Sequence, residues 1–134
     1  MKFSVLTLAA SLGAVVAVND CGDSSFINQS SGGSPKISDC QQIARNVQGS
    51  GTWTIPCAER REHTFAKFGT CAMGAHCTIG GANIGHIGNE DAIDLINESI
   101  RRFSFDGKIG AKGVMACSDS LNEQAGIEWG IYHT

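Results

Sequence analysis

The residues with the most chemical potential are six cysteines, Cys21, Cys40, Cys57, Cys71, Cys77 and Cys117, in a chain of 134 residues. A thiolate can act as nucleophile or metal ligand, but an even number of cysteines in a small chain reads first as a disulfide framework made in an oxidising compartment. Three bonds are expected, and spacing alone does not choose among the many possible pairings. Four histidines, His63, His76, His86 and His133, with His76 next to Cys77, raise the question of a metal. The two-plus-two ligand spacing of zinc sites is missing, so neither a metal nor another cofactor is expected.

Catalysis would need a nucleophile beside a base, or a carboxylate pair in a cleft. Glu90, Asp91, Asp94 and Glu98 cluster in sequence, yet their helical spacing is what a solvated face and an N-terminal cap produce. No G-x-S-x-G or H-E-x-x-H arrangement is present. Gly81, Gly85 and Gly88 precede a helix, where backbone amides can hold phosphate. Their spacing fits neither nucleotide fingerprint, and Glu90 and Asp91 would repel an anion there. A non-enzyme is therefore expected.

Recognition is the remaining chemistry. Trp53, Trp129 and Tyr132 are candidate contact aromatics, with both tryptophans expected in the sheet core instead. The stretch "CAERREHTFAK", 57–67, sets Arg60, Arg61, His63 and Lys67 close together in an acidic chain. This run is a candidate contact for an anionic partner; a solvated charge run is the plainer reading. The sequons Asn28-Gln29-Ser30 and Asn97-Glu98-Ser99 are candidate glycosylation sites, Asn28 the more favourable because Asn97 falls in a predicted helix.

These residues need elements to position them. The opening "MKFSVLTLAASLGAVVA" has Lys2, an apolar run and small residues at Val15 and Ala17, the pattern of a secretory signal over 1–17. The run is shorter than the roughly 20 residues of a membrane span, so a soluble exported product of one domain, 18–134, is expected, as a monomer. Ten basic residues face thirteen acidic ones, and Lys2 leaves with the signal, which argues against a nucleic-acid partner. Residues 21–40, "CGDSSFINQSSGGSPKISDC", are small and polar and are expected to be a flexible arm tied on by a disulfide, not packed in.

Beyond the arm, Cys40, Ile43, Ala44 and Val47 form an apolar stripe that predicts a helix over 38–48. Gly88 and Asn89 start a second helix, with Ile93, Ile96, Ile100 and Phe103 as its expected inner face and Arg101 and Arg102 near its end. Strands are predicted at 52–55, 63–73, 108–117 and 126–134. In the last of these Ile127, Trp129 and Ile131 face one way, Glu128 and Tyr132 the other. Residues 78–90 read as a glycine-rich connection and 118–126 as a polar hairpin loop. The expected fold class is α+β: an antiparallel β-sheet with two α-helices packed on one face, a disulfide-stabilised small secreted domain.

The stretches "CGDSSFINQSSGGSPKISDCQQIARNVQGSGTWTI", "FGTCAMGA", "GNEDAIDLINESIRRF", "GKIGAKGVMAC" and "EWGIYHT" resemble, in order, the fungal secreted effectors named after the extracellular protein 2 of a leaf-mould pathogen, also called necrosis-inducing factors. The resemblance implies a virulence factor that works in the plant extracellular space, binds a host protein or membrane target without catalysis, and triggers necrosis or an immune response. It also implies a killer-toxin-4-like fold, and so the alternatives of an antimicrobial or ion-channel-interfering protein, with a small secreted hydrolase behind them. The family's four cysteines correspond to Cys21, Cys40, Cys71 and Cys117, and this chain adds Cys57 and Cys77. On that basis the added pair is expected to bond together, and Cys40 with Cys71 and Cys21 with Cys117 are the favoured partners.

Overall fold

A computed structural model describes residues 17–59, 61–78, 84–119 and 123–134; the expected signal, up to residue 16, lies outside them. The elements in chain order are β1 (Cys21–Ser24), β2 (Ile27–Asn28), α1 (Ile37–Asn46), β3 (Thr52–Pro56), β4 (His63–Phe68), β5 (Cys71–Cys77), β6 (Ile84–Gly88), α2 (Asn89–Phe103), β7 (Ala111–Ser118) and β8 (Gln124–His133). The main sheet runs β1-β7-β8-β5-β4, with β2 also on β7, and β3 and β6 form a two-stranded ribbon. All the pairings are antiparallel, and the α+β class holds.

Register decides what each face carries. Met73 lies opposite Ile131, Ala75 opposite Trp129, Cys77 opposite Ile127, and Met115 opposite Ile127 on its other side, so these side chains share one face. That face is the core, with Met73, Ala75, Ile127 and Trp129 all fully buried. Each large apolar side chain there stabilises the fold by roughly 1.5–3 kcal/mol. It is covered by α1, joined to β5 through the Cys40–Cys71 bond, and by the β3–β6 ribbon, joined to β5 through Cys57–Cys77. The third bond, Cys21–Cys117, ties β1 to β7 at directly opposed positions, and the three pairs are those favoured above.

Several local expectations need correction. Residues 63–73 are not one strand but a hairpin: Gly69, with φ of +56°, turns β4 into β5. Only a residue without Cβ takes that conformation cheaply, and a Cβ there would also strike the Asp39 carboxylate. Asp39, on α1, instead accepts hydrogen bonds from the Thr70 N–H and hydroxyl, at 2.8 and 2.7 Å, which hold its carboxyl below the usual range. The connection over 78–90 contains a strand, β6, which pairs with β3 and packs against β7 and β8, Gly85 leaving room for the Ile127 side chain. Its residues 79–83 lie outside the described set, as do 120–122 of the expected hairpin loop.

On α2 the fully buried stripe is Ala92, Leu95, Ile96 and Ser99, while Ile93, Ile100 and Phe103 are half-buried at its margin. The helix is rotated because it packs against both α1 and β6, and small Ala92 and Ser99 allow the closer approach. It therefore reaches the sheet through the ribbon. Asp91 is more than a favourable charge at its start. Its carboxylate accepts the N–H groups of Gly88 and Asp20, at 2.8 and 2.7 Å, while burial pushes its pKa up against these bonds.

The arm is the largest correction. It packs into the sheet: Ser25 N–H donates to Val114 O at 3.0 Å and Gln29 N–H to Gly110 O at 2.9 Å. Its apolar content is low, but backbone hydrogen bonds do not need apolar side chains. Gly113 makes the approach possible, since the Ser25 carbonyl occupies the space of its missing Cβ. Ser24 Oγ accepts the Trp129 indole N–H at 2.7 Å, and Phe26 meets the Trp129 ring edge-on at 5.5 Å. Arg102 of α2 stacks over Phe26 at 4.4 Å, closing this end of the molecule.

Candidate functional site

Among the described residues, neither the helices nor the ribbon cover the opposite face of the main sheet. Alternation puts Lys112 and Val114 of β7, Glu128, Gly130 and Tyr132 of β8, Gly74 and His76 of β5, and Thr64 of β4 on it. Gly74 and Gly130 lie directly opposite each other at its centre. With no side chains of their own, they let others lie down on the sheet. The Tyr132 ring leans over Gly130, about where a Cβ would meet its Cδ2 at 3.5 Å. Its hydroxyl crosses Gly74 to share a 2.7 Å hydrogen bond with Thr64 Oγ1. From the loop before β4, Glu62 reaches over the same glycine, and a Gly74 Cβ would come within 2.9 Å of its Oε2.

Four titratable groups, Glu62, His76, Glu128 and Tyr132, thus converge from two strands and a loop. His76 Nε2 stands 3.6 Å from Glu128 Oε1, and His76 Nδ1 is buried without a hydrogen-bond partner among the described residues. Glu62 is an exposed residue as a whole, but its carboxylate rests on the sheet and loses water there. Burial raises its pKa above the carboxylate norm; the charge of His76 opposes this and that of Glu128 adds to it. Burial likewise raises the Tyr132 phenol, the Thr64 bond opposing. The groups border an open groove of about 320 Å³ that is also lined by Ser31, His133 and Lys112, the last directly opposite Gly130 on β7. The site has strong acceptors, an imidazole and a phenol, suited to holding hydrogen-bond donors and positive charge.

Because ionising Glu62 is harder in the folded protein than in the unfolded chain, its charge costs stability. The cost is absent below the ordinary value of 4.5 and grows as pH rises through the raised folded value. Glu62→Gln is accordingly expected to unfold at a higher urea midpoint than the parent at pH 7 and at the same midpoint at pH 3. A lower midpoint for the variant at pH 7 would mean that the ionised carboxylate is held by a favourable partner.

The sequence-predicted contacts are placed differently. Arg60 lies outside the described residues. Arg61 pairs with Glu59 at 3.2 Å, and His63, opposite Ala75, lies at the sheet edge on the core side, 3.6 Å from the same carboxylate. Lys67, opposite Ala72, is exposed on the outer face. The run is thus split between the two faces of β4. Trp129 is a core residue that also contributes to the groove's lining beside Tyr132, and Trp53, half-buried against Phe65 at 4.8 Å, lies away from it. Asn28 is exposed with Oδ1 accepting the Ser30 N–H at 2.8 Å, and Asn97 is exposed on α2. Among the described residues no group of three or more His, Cys, Asp or Glu is arranged to hold a metal ion.

Sequence reading missed the convergence of Glu62, His76, Glu128 and Tyr132. The available signal was the shared face of Glu128 and Tyr132 and the two glycines inside strands, which mark close approach. Comparison with known proteins adds two relatives from Penicillium expansum. A protein named "Probable chitinase LysM18" is 32% identical over 117 residues, 86% of this chain and 8% of that protein. "Secreted chitinase LysM12" is 32% identical over 114 residues, 82% of this chain and 7% of that protein. The chain therefore spans less than a tenth of the length of these curated relatives. The family model Hce2, described as "Pathogen effector; putative necrosis-inducing factor", matches residues 20–117, most of the chain, so this disulfide-bonded α+β protein belongs to the Hce2 pathogen-effector family.

Proposed function

We propose that this protein is a secreted effector that acts in the plant extracellular space by binding a host target, without catalysis, and that necrosis or an immune response follows. The observation that carries this reading is the uncovered outer face of the sheet, where Glu62, His76, Glu128 and Tyr132 gather on a glycine floor instead of being spread over a solvated surface. Membership of an effector family supports the context. The run Arg60, Arg61, His63 and Lys67 is a secondary contact for an anionic part of the partner, and Asn28 is the preferred glycan acceptor over Asn97. The protein acts as a monomer.

Infiltration of purified protein into leaves of several plant species, scoring cell death and ion leakage, tests this. The folded parent is expected to act in some hosts, and the reduced and alkylated form in none. Glu128→Lys, which reverses a charge on an exposed sheet face, should keep the parent's urea midpoint within about 0.5 kcal/mol and lose activity at least tenfold. Parental activity in that variant would remove the outer face from the reading. A second reading, a module directed at cell-wall carbohydrate, has the support of the chitinase names of both relatives. Release of sugar from a wall polymer, with no response in any leaf, would put this hydrolase reading in place of the first. Growth inhibition of competing microbes would favour the killer-toxin alternative.

A further inference from the structure

We infer that the outer-face groove binds a cationic amino sugar, one 2-amino-2-deoxyhexose unit of a short oligosaccharide, with its ammonium between Glu62 and Glu128 and its ring against Tyr132. The inference rests on the reading of this face as the binding surface and adds the class of ligand.

Charge comes first. Glu62 and Glu128 share a single imidazole, and Glu62 has no ion pair among the described residues. By contrast Glu98, elsewhere on the surface, is met by both Arg101 and Arg102 and is held down to about 2. Two carboxylates brought together on a partly dehydrated floor repel each other, and a positive group placed between them removes that repulsion while accepting nothing from the protein. An anionic ligand would add to it. A purely apolar ligand would dehydrate the Glu62 carboxylate further and offer it no partner.

Shape and the remaining polar groups favour a ring over a bare amine. Tyr132 leans along the floor above Gly130 and is only half-buried, which leaves part of its ring as a flat apolar patch at the centre of a polar groove. Sugars present such alternation, with C–H faces and hydroxyl edges. Ser31 and Lys112, the latter opposite Gly130 on β7, also line the groove and supply hydroxyl and ammonium donors for the neutral oxygen atoms of a sugar. At about 320 Å³ the space is at the lower end of ligand sites and suits one or two hexose rings, the rest of an oligomer running into solvent.

A heteronuclear NMR titration of the disulfide-bonded protein at pH 6.5 tests this with three probes: the fully deacetylated glucosamine trimer, the N-acetylglucosamine trimer and n-butylammonium. Glu62, His76, Glu128, Tyr132, Lys112 and His133 are the titratable groups facing the groove, so pH is held constant throughout. The glucosamine trimer is expected to shift Gly74, Gly130 and Tyr132 saturably, at least tenfold more tightly than either other probe. The double variant Glu62→Gln, Glu128→Gln, verified as folded by its urea midpoint, should weaken that binding at least tenfold. Equal binding of the acetylated trimer would show that charge is not read, and equal binding of n-butylammonium that the ring is not read; either overturns the inference. Absence of saturable shifts, or shifts elsewhere, does the same. If the Glu128→Lys protein has lost its activity in leaves while no probe binds, the binding face stands and only its ligand class is wrong.

Discussion

Trp129→Ala is expected to destabilise the protein by about 3–5 kcal/mol, the range for truncating a large aromatic in a core. Trp129 is fully buried, and three separate parts of the molecule converge on it. Its indole N–H donates to Ser24 of β1, its ring edge meets Phe26, and its Cζ2 lies 2.9 Å from the position a Gly113 Cβ would take. Truncation therefore opens a cavity and also releases the arm, so hydrogen exchange should accelerate first at Ser25 and Gln29, whose N–H groups bond to Val114 and Gly110. Phe26→Ala should cost less, because Phe26 is only half-buried. If the alanine variant does not fold, Trp129→Phe keeps a ring and loses the bond to Ser24, at about 1 kcal/mol or more. A cost under 1 kcal/mol for Trp129→Ala in urea unfolding would mean that the arm is not anchored through this residue.

The second large effect concerns the bond between Cys21 and Cys117. It joins residues 96 apart, against 20 for Cys57–Cys77. In the chain-entropy account a loop of about 100 residues contributes about 4.7 kcal/mol and one of about 15 residues about 3. The double variant Cys21→Ala, Cys117→Ala is thus expected to lose roughly 4–5 kcal/mol and Cys57→Ala, Cys77→Ala roughly 3, read as urea midpoints under non-reducing conditions. The reverse order would show that packing around the buried Cys57 and Cys77 outweighs the unfolded-state term. The ordering also bears on activity, because the longer bond keeps β1 on the sheet edge, and Ser31, which lines the groove, belongs to the segment that follows.

The candidate site was only partly legible. The period-two pattern of β8 set Glu128 and Tyr132 on the face away from Ile127, Trp129 and Ile131, which the register supports. Glu62 was invisible as a partner, since it sits in a loop within a run of charges and its approach to Gly74 depends on how that loop folds back. The acidic cluster that did stand out, Glu90 to Glu98, divides by position: Asp91 turns inward to bond the backbone of β1's approach and the helix cap, and Glu98 turns outward to two arginines. Neighbours in sequence on a helix point in different directions, whereas residues on two strands and a loop can meet at one point.

Local pattern determined much of this protein by itself. The cysteine number, the apolar stripe of α1, the start of α2 at Gly88 and the alternation of β8 are all properties of short windows, so spacing reveals them. Tertiary structure alone decided the rest. It folded 63–73 into a hairpin, made a strand of Ile84–Gly88, rotated α2 toward Ala92 and Ser99, and laid a polar arm onto β7. Each of these outcomes depends on a partner distant in the chain and on a glycine or small side chain that admits it, as Gly113 admits Ser25 and Gly74 admits Tyr132. Steric room of that kind exists only between surfaces brought together, and the groove on the outer face was made by it.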